Sequence, residues 1–226
     1  MRFFNLDPTT LVARIIVILL ILPLHEYAHA FAARKFGDYT AESSGRLTLN
    51  PFKHIDPIGA FLLLFTGFGW AKPVPVNPIA MRNPRKGIIW TSLAGPFSNL
   101  IAAFLSMTVL RVIYCIPIAA SNTALLNTLT MVCTLLSAFS SVNMGLAVFN
   151  LIPVPPLDGS RVLMQFLPTN AVVWIQRNQM VISIVFLMLI ASSALSTPLS
   201  FITMQIYRLF YFITDWIPLL MNLIIG

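Results

Sequence analysis

His25-Glu26-Tyr27-Ala28-His29 sets two imidazoles four residues apart, with a carboxylate beside the first. On an α-helix His25 and His29 share a face, about 40° apart, and can reach one metal ion. Glu26 lies about 100° round the helix from His25 and can direct its carboxylate at a water on that metal. Neutral imidazole suits zinc, and two protein ligands leave positions for a third and for a reactive water. The motif continues from Ile15-Ile-Val-Ile-Leu-Leu-Ile-Leu22, an aliphatic run of the kind that sits in lipid. Ionisable groups at membrane depth are costly, so three within five residues call for a functional explanation. The competing account is structural, with both imidazoles bonded to backbone carbonyls near a helix end.

The elements that must position this motif are membrane helices. Hydrophobic residues make up 58% of the chain and charged residues 9%; the mean hydropathy is +0.85. A soluble domain carries about 25% charged residues. At 226 residues the chain reads as one integral-membrane domain, 1–226, with a catalytic core over about 8–168 and accessory C-terminal helices over about 172–226. The +7 charge reflects topology and the membrane surface. Nucleic-acid binding is not expected, because it needs a solvated basic face. Cys115 and Cys133 lie in apolar surroundings without a paired motif and say little about redox. No small-residue cleavage site follows the first apolar run, so it is not expected to be a cleaved signal.

Asp7-Pro8 predicts a helix start with Asp7 as N-cap, and Gly37 predicts its stop after Phe36. Pro23, two residues before His25, removes a backbone hydrogen bond and should bend the helix beside the motif. Arg46-Leu-Thr-Leu-Asn50 alternates like a short strand, and Val74-Pro-Val-Asn-Pro78 suits only an edge strand or loop. Between them Ile58–Trp70 is apolar but falls short of the ~20 residues of a spanning helix, so it should be re-entrant or interfacial. Eight of the fourteen basic residues flank it: Arg34, Lys35, Arg46 and Lys53 before, Lys72, Arg82, Arg85 and Lys86 after. They share one side, expected to be cytoplasmic, only if the segment turns back.

Ile88–Leu110 is uncharged for 23 residues and reads as a span. Within it Asn99 is either packing glue between helices or an active-site amide, and the sequence weighs the two equally. After an outer loop around Ala120 to Asn127, a returning span is expected from about Met131 to Ile152. Three prolines then break Asn150-Leu-Ile-Pro-Val-Pro-Pro-Leu-Asp-Gly159. Trp174–Ser196 is a further expected span, and the stretch from Phe201 either spans or lies on the interface. This topology returns Asp158 to the face that carries His25 and His29. A carboxylate on broken backbone at membrane depth reads as a site residue and third ligand, against the simpler account of an ion pair with Arg161.

His25-Glu26-x-x-His29 together with Asn150-x-x-Pro153…Asp158-Gly159 resembles the site-2 protease family of intramembrane zinc metalloproteases. Gly95-Pro96-x-x-Asn99 and Arg46-Leu-Thr-Leu-Asn-Pro…His54…Asp56-Pro57 belong to the likeness, which covers most of residues 20–165. The pattern resembles the short bacterial branch of the family, which lacks a peptide-binding insertion. The resemblance implies one zinc per chain held by His25, His29 and Asp158, with Glu26 as general base. It also implies Asn150 near the oxyanion, and a membrane-associated β-hairpin before the second span that adds an unwound substrate as a strand. His54 stays open between a transient ligand, a substrate contact and a surface imidazole beside Asp56, with the last two favoured.

The expected architecture is thus an all-α polytopic membrane protein. It has five to six transmembrane helices and a re-entrant or β-hairpin segment between the first two full spans. The expected activity is peptide hydrolysis within or near transmembrane segments of a membrane-protein substrate. The protein would be multi-pass in the cell membrane, in contact with the lipid bilayer, with its site near the cytoplasmic face. The alternative is a metal-ion transporter using the same ligands. It would need ligands along a full pore, and Arg111 to Met131 supplies none.

Overall fold

Pro23 cannot donate to the carbonyl four residues earlier, and the first helix absorbs this by widening just before it. The computed structural model describes residues 8–66, 69–117, 122–192 and 194–225. In it α1 (Pro8–Ile16) passes through one π turn (Val17–Ile21) into α2 (Leu22–Lys35). The Leu22 N–H bonds back to the Val17 carbonyl, five residues away. A π turn resets the phase of the helix face and is common beside functional sites. The predicted N-cap Asp7 lies outside the described residues. The predicted stop is met: Gly37 adopts φ +98, its N–H bonds Arg34 O and the Asp38 N–H bonds Ala33 O, both at 3.0 Å. These two bonds close the helix end as a Schellman motif.

After α3 (Thr40–Ser43) the chain crosses irregularly to α4 (Pro57–Thr66). The expected β-hairpin is not formed; the described residues contain no strand, only one antiparallel bridge between Ile55 and Ala71. Side chains have taken the backbone groups that a ladder would use. Arg46 Nη2 donates to Lys72 O at 2.6 Å, Val74 N donates to a Glu26 carboxylate oxygen, and Asn77 N donates to Asp38 Oδ2 at 2.6 Å. Pro73, Pro75 and Pro78 have no N–H to offer. The turn-back is present in another form. α4 has ten residues, about 15 Å, and the chain returns to pair Ala71 with Ile55, while the Lys72 N–H bonds His54 O at 2.8 Å. Near its far end α4 is tied to the first helix by Arg14 Nη1, which donates to Leu64 O at 2.5 Å.

α5 (Pro84–Tyr114) and α6 (Thr123–Asn150) form the centre of the bundle, with α5 packed along both α2 and α6. Asn83 caps α5 by accepting from the Lys86 N–H. Small residues bring α5 and α6 close enough for side-chain to backbone bonds: Ser106 Oγ to Leu136 O at 2.9 Å and Ser140 Oγ to Ala103 O at 3.0 Å. Pro153, Pro155 and Pro156 separate α6 from α7 (Asp158–Met164). Then come α8 (Thr169–Arg177), α9 (Gln179–Ala191), α10 (Ser196–Ile213) and α11 (Trp216–Ile225). Arg111 near the end of α5 pairs with Asp215 at 2.7 Å and lies over Tyr211, clipping the C-terminal helices to the bundle.

Among the described residues three helices are long and apolar enough to cross a membrane: Arg14–Lys35, α5 and α6. A fourth is gained if α8 and α9, bent by 69°, count as one span. The expected five to six spans are therefore too many. The shortfall lies after residue 168. α9 has 13 residues, about 20 Å against a hydrocarbon core of ~30 Å. α10 carries Gln205 and Arg208 among its aromatic and aliphatic residues, the pattern of a helix lying at an interface. Gly37→Ala should destabilise the fold by about 1–2 kcal/mol, because a side chain at positive φ is strained. Its Cβ would also stand 3.3 Å from Arg82 Cγ. A urea or SDS titration of both proteins in mixed micelles measures the difference.

Candidate metal centre

α2 turns His25 and His29 inward, and both are buried. Their Nε2 atoms lie 3.0 Å apart, and each is 3.2 Å from Asp158 Oδ2 at the start of α7. Ligand atoms about 2.0–2.1 Å from a tetrahedral zinc ion stand ~3.3 Å from one another. The triangle therefore has the dimensions, and the His-His-Asp donor set the chemistry, that zinc requires. Thr91 O lies 2.7 Å from His29 Nδ1. A carbonyl only accepts, so Nδ1 carries the proton and Nε2 keeps its lone pair for a metal. The two rings meet edge to face, with centroids 4.6 Å apart.

Gly95 on α5 closes the other side. A Cβ there would stand 2.5 Å from His29 Nε2 and 2.6 Å from His25 Nε2. The helix can approach the ligand atoms only because this residue has no side chain. In the sequence Gly95 figures only in the motif Gly95-Pro96-x-x-Asn99; its place against the imidazoles, and the Thr91 carbonyl behind His29, have no local sequence signal.

Glu26 Oε2 accepts the Val74 N–H at 2.9 Å. Val74 is itself pinned, its side chain buried with Ala30 and Ala41 and packed beside Leu47. A cavity of about 400 Å³ gathers His25, Glu26, His29, Asn150 and Asp158, with Trp70 and Val74 on one wall. Asn150 reaches the cavity, but its Nδ2 donates to Leu146 O at 3.0 Å within its own helix.

Two candidate residues lie outside the cluster. His54 is 1% exposed, so the surface-imidazole reading fails. Its Nε2 stands 2.7 Å from Thr48 O, while Asp56 accepts from the Ile58 and Gly59 N–H groups at the start of α4. It does not line the cavity either. Asn99 is completely buried, with no hydrogen-bond partner for either amide atom. It sits one turn beyond Gly95 and does not line the cavity. Asp158 faces the histidines; no bond to Arg161 is formed.

The opposite end of the bundle has a larger cavity, about 830 Å³, between the ends of α5 and α6. Cys133 is the one metal-ligand type among the described residues that line it, and these form no run of ligands through the bundle.

Residues 13–192 match the family described as peptidase family M50. The chain is 42% identical over 165 residues to a Bacillus subtilis protein named "Putative zinc metalloprotease YwhC", covering 71% of this chain and 72% of the relative. It is 34% identical over 149 residues to "Putative zinc metalloprotease Rip2" of Mycolicibacterium smegmatis, and 33% over 144 residues to the Mycobacterium tuberculosis protein of that name. These alignments cover 62% and 61% of this chain and 52% and 51% of the relatives, about half of their length. No solved structure matches the chain. Gly95→Ala should lower zinc retention by about tenfold or more, since displacing the groups that orient metal ligands typically costs 10–100-fold in affinity. Metal analysis of the detergent-purified protein after dialysis checks it.

Proposed function

The chain belongs to peptidase family M50, the site-2 protease family, and from that premise we propose that it is an integral-membrane zinc endopeptidase cutting peptide bonds in or near transmembrane segments of other membrane proteins. The observation that carries the reading is the convergence of His25, His29 and Asp158 beside Glu26 in one cavity. His25, His29 and Asp158 would hold the ion. Bound there, zinc supplies a water of pKa about 7 and polarises the scissile carbonyl.

Glu26 takes the proton from the attacking water on its carboxylate and later delivers it to the leaving amine. The Val74 N–H, bonded to Oε2, holds that carboxylate in orientation. Asn150 donates its amide to the developing oxyanion once it turns from Leu146 O. A transmembrane helix hides its peptide bonds in its own hydrogen bonds, so a substrate must unwind locally before it enters. The basic residues Arg34, Lys35, Lys72, Arg82, Arg85 and Lys86 support a cytoplasmic position for this end of the bundle and multi-pass insertion in the cell membrane.

Glu26→Gln should keep its zinc and lose about 10²–10⁴-fold in cleavage rate, because ligation and proton transfer sit on different residues. Zinc content and turnover of a model transmembrane peptide are measured on the same preparation, and near-normal turnover removes Glu26 from its role. Asp158→Asn should instead lose zinc, which the same metal analysis reads.

A further inference from the structure

Arg161 stands one turn beyond Asp158 on α7 and forms part of the wall between two cavities. One is the metal-centre cavity; the other, about 300 Å³, extends toward the basic N-terminal end of α5. Val74, Val76 and Arg161 line both. The second cavity is otherwise rich in hydrogen-bonding groups, with Thr91, Ser92, Gln165 and Gln176 on its wall.

Two features of this cavity are left unmatched. Thr91 is 2% exposed and its hydroxyl Oγ1 has no hydrogen-bond partner, although buried polar groups are normally satisfied. Arg161 is exposed and forms no ion pair among the described residues. Its natural partner, Asp158, is engaged by the two histidines. Arg85 adds a second positive charge nearby, its guanidinium lying over the Phe166 ring next to Gln165. Thr91 Oγ1 is closed off from the cavity, so the group free to meet a ligand there is the Arg161 guanidinium.

We propose that the second cavity is a subsite for the peptide segment on the cytoplasmic side of the scissile bond, and that Arg161 selects an acidic side chain there. The proposal rests on the protease reading above. Residues three apart on a helix have Cβ atoms about 5–6 Å apart, so the Arg161 head group reaches roughly 10 Å from the metal centre. At ~3.3 Å per extended residue that is about two to four positions from the cut. Backbone groups of the same segment would meet the Gln165 and Gln176 amides.

The test uses the full chain, zinc-loaded, in lipid nanodiscs. The probes are three fluorescent single-span peptides that differ only in carrying Asp, Asn or Lys two to four residues cytoplasmic of a helix-weakening site. Binding is measured on Glu26→Gln, which reports affinity without turnover. The Asp peptide should bind about tenfold more tightly than the Lys peptide, and adding Arg161→Glu should reverse the order with zinc content unchanged. Gln176→Leu in the same background should weaken all three peptides alike.

Equal affinities for the three peptides, no binding of any, or an order unmoved by Arg161→Glu would overturn the subsite. Unchanged affinities in Gln176→Leu would overturn this cavity as the place of contact. Cleavage by the protein with Glu26 intact is scored separately. Charge-ordered binding with no peptide cut would remove the protease reading, and with it the subsite's relation to a scissile bond, leaving only a charge-selective peptide-binding cavity; cutting without charge order would overturn the subsite and leave the protease reading.

Discussion

Three ligand atoms held within 3.0–3.2 Å of one another in a largely apolar bundle are the constraint on which the rest of this structure depends. Neither imidazole nor carboxylate is stable at such depth without a partner. The surrounding fold is arranged to bring these partners together and to keep other groups out. The π turn before Pro23 sets the phase of the face that carries both histidines. Gly95 lets α5 approach the ring nitrogens, and the Thr91 carbonyl fixes one ring. The prolines between α6 and α7 end a spanning helix at the depth where Asp158 is needed.

The segment from Asp38 to Asn83 serves the same end by different means. It lies against α2 without forming a sheet, held by buried polar side chains that bond its backbone. Asp38, wholly buried, accepts from the Thr40 and Asn77 N–H groups. Arg46 donates to Lys72 O, and His54 sits against Thr48 O. Each bond pairs a backbone group that no β-ladder pairs. Together they hold Val74 so that its N–H meets Glu26. A network of side-chain clamps thus does the positioning that a β-ladder would have done.

Much of the site was legible in the sequence because its signals are local. The i, i+4 spacing of His25 and His29 is a property of one helix, and Gly37 and the proline run announce where helices end. The return of the chain after α4 followed from helix length and from charge on both flanks. The hairpin was implied by the family resemblance; the alternation in Arg46–Asn50 describes an extended segment whether or not a partner strand pairs with it. The C-terminal spans were overcounted because an apolar run is legible in composition, while the 69° bend between α8 and α9 is a matter of tertiary packing.

The sequence by itself determined the membrane setting, the facing histidines with their neighbouring glutamate, and the side of the bundle to which Asp158 returns. Periodicity, hydropathy and charge act over a few turns of chain and need no distant partner. Only the tertiary structure decided that Asp158 faces the imidazoles and leaves Arg161 unpaired. It alone also decided that His54 and Asn99 are buried away from the cavity, and that a valine N–H holds the glutamate. Each of those outcomes is a competition among groups far apart in sequence for the same few hydrogen-bonding positions, and close packing of distant elements settles it.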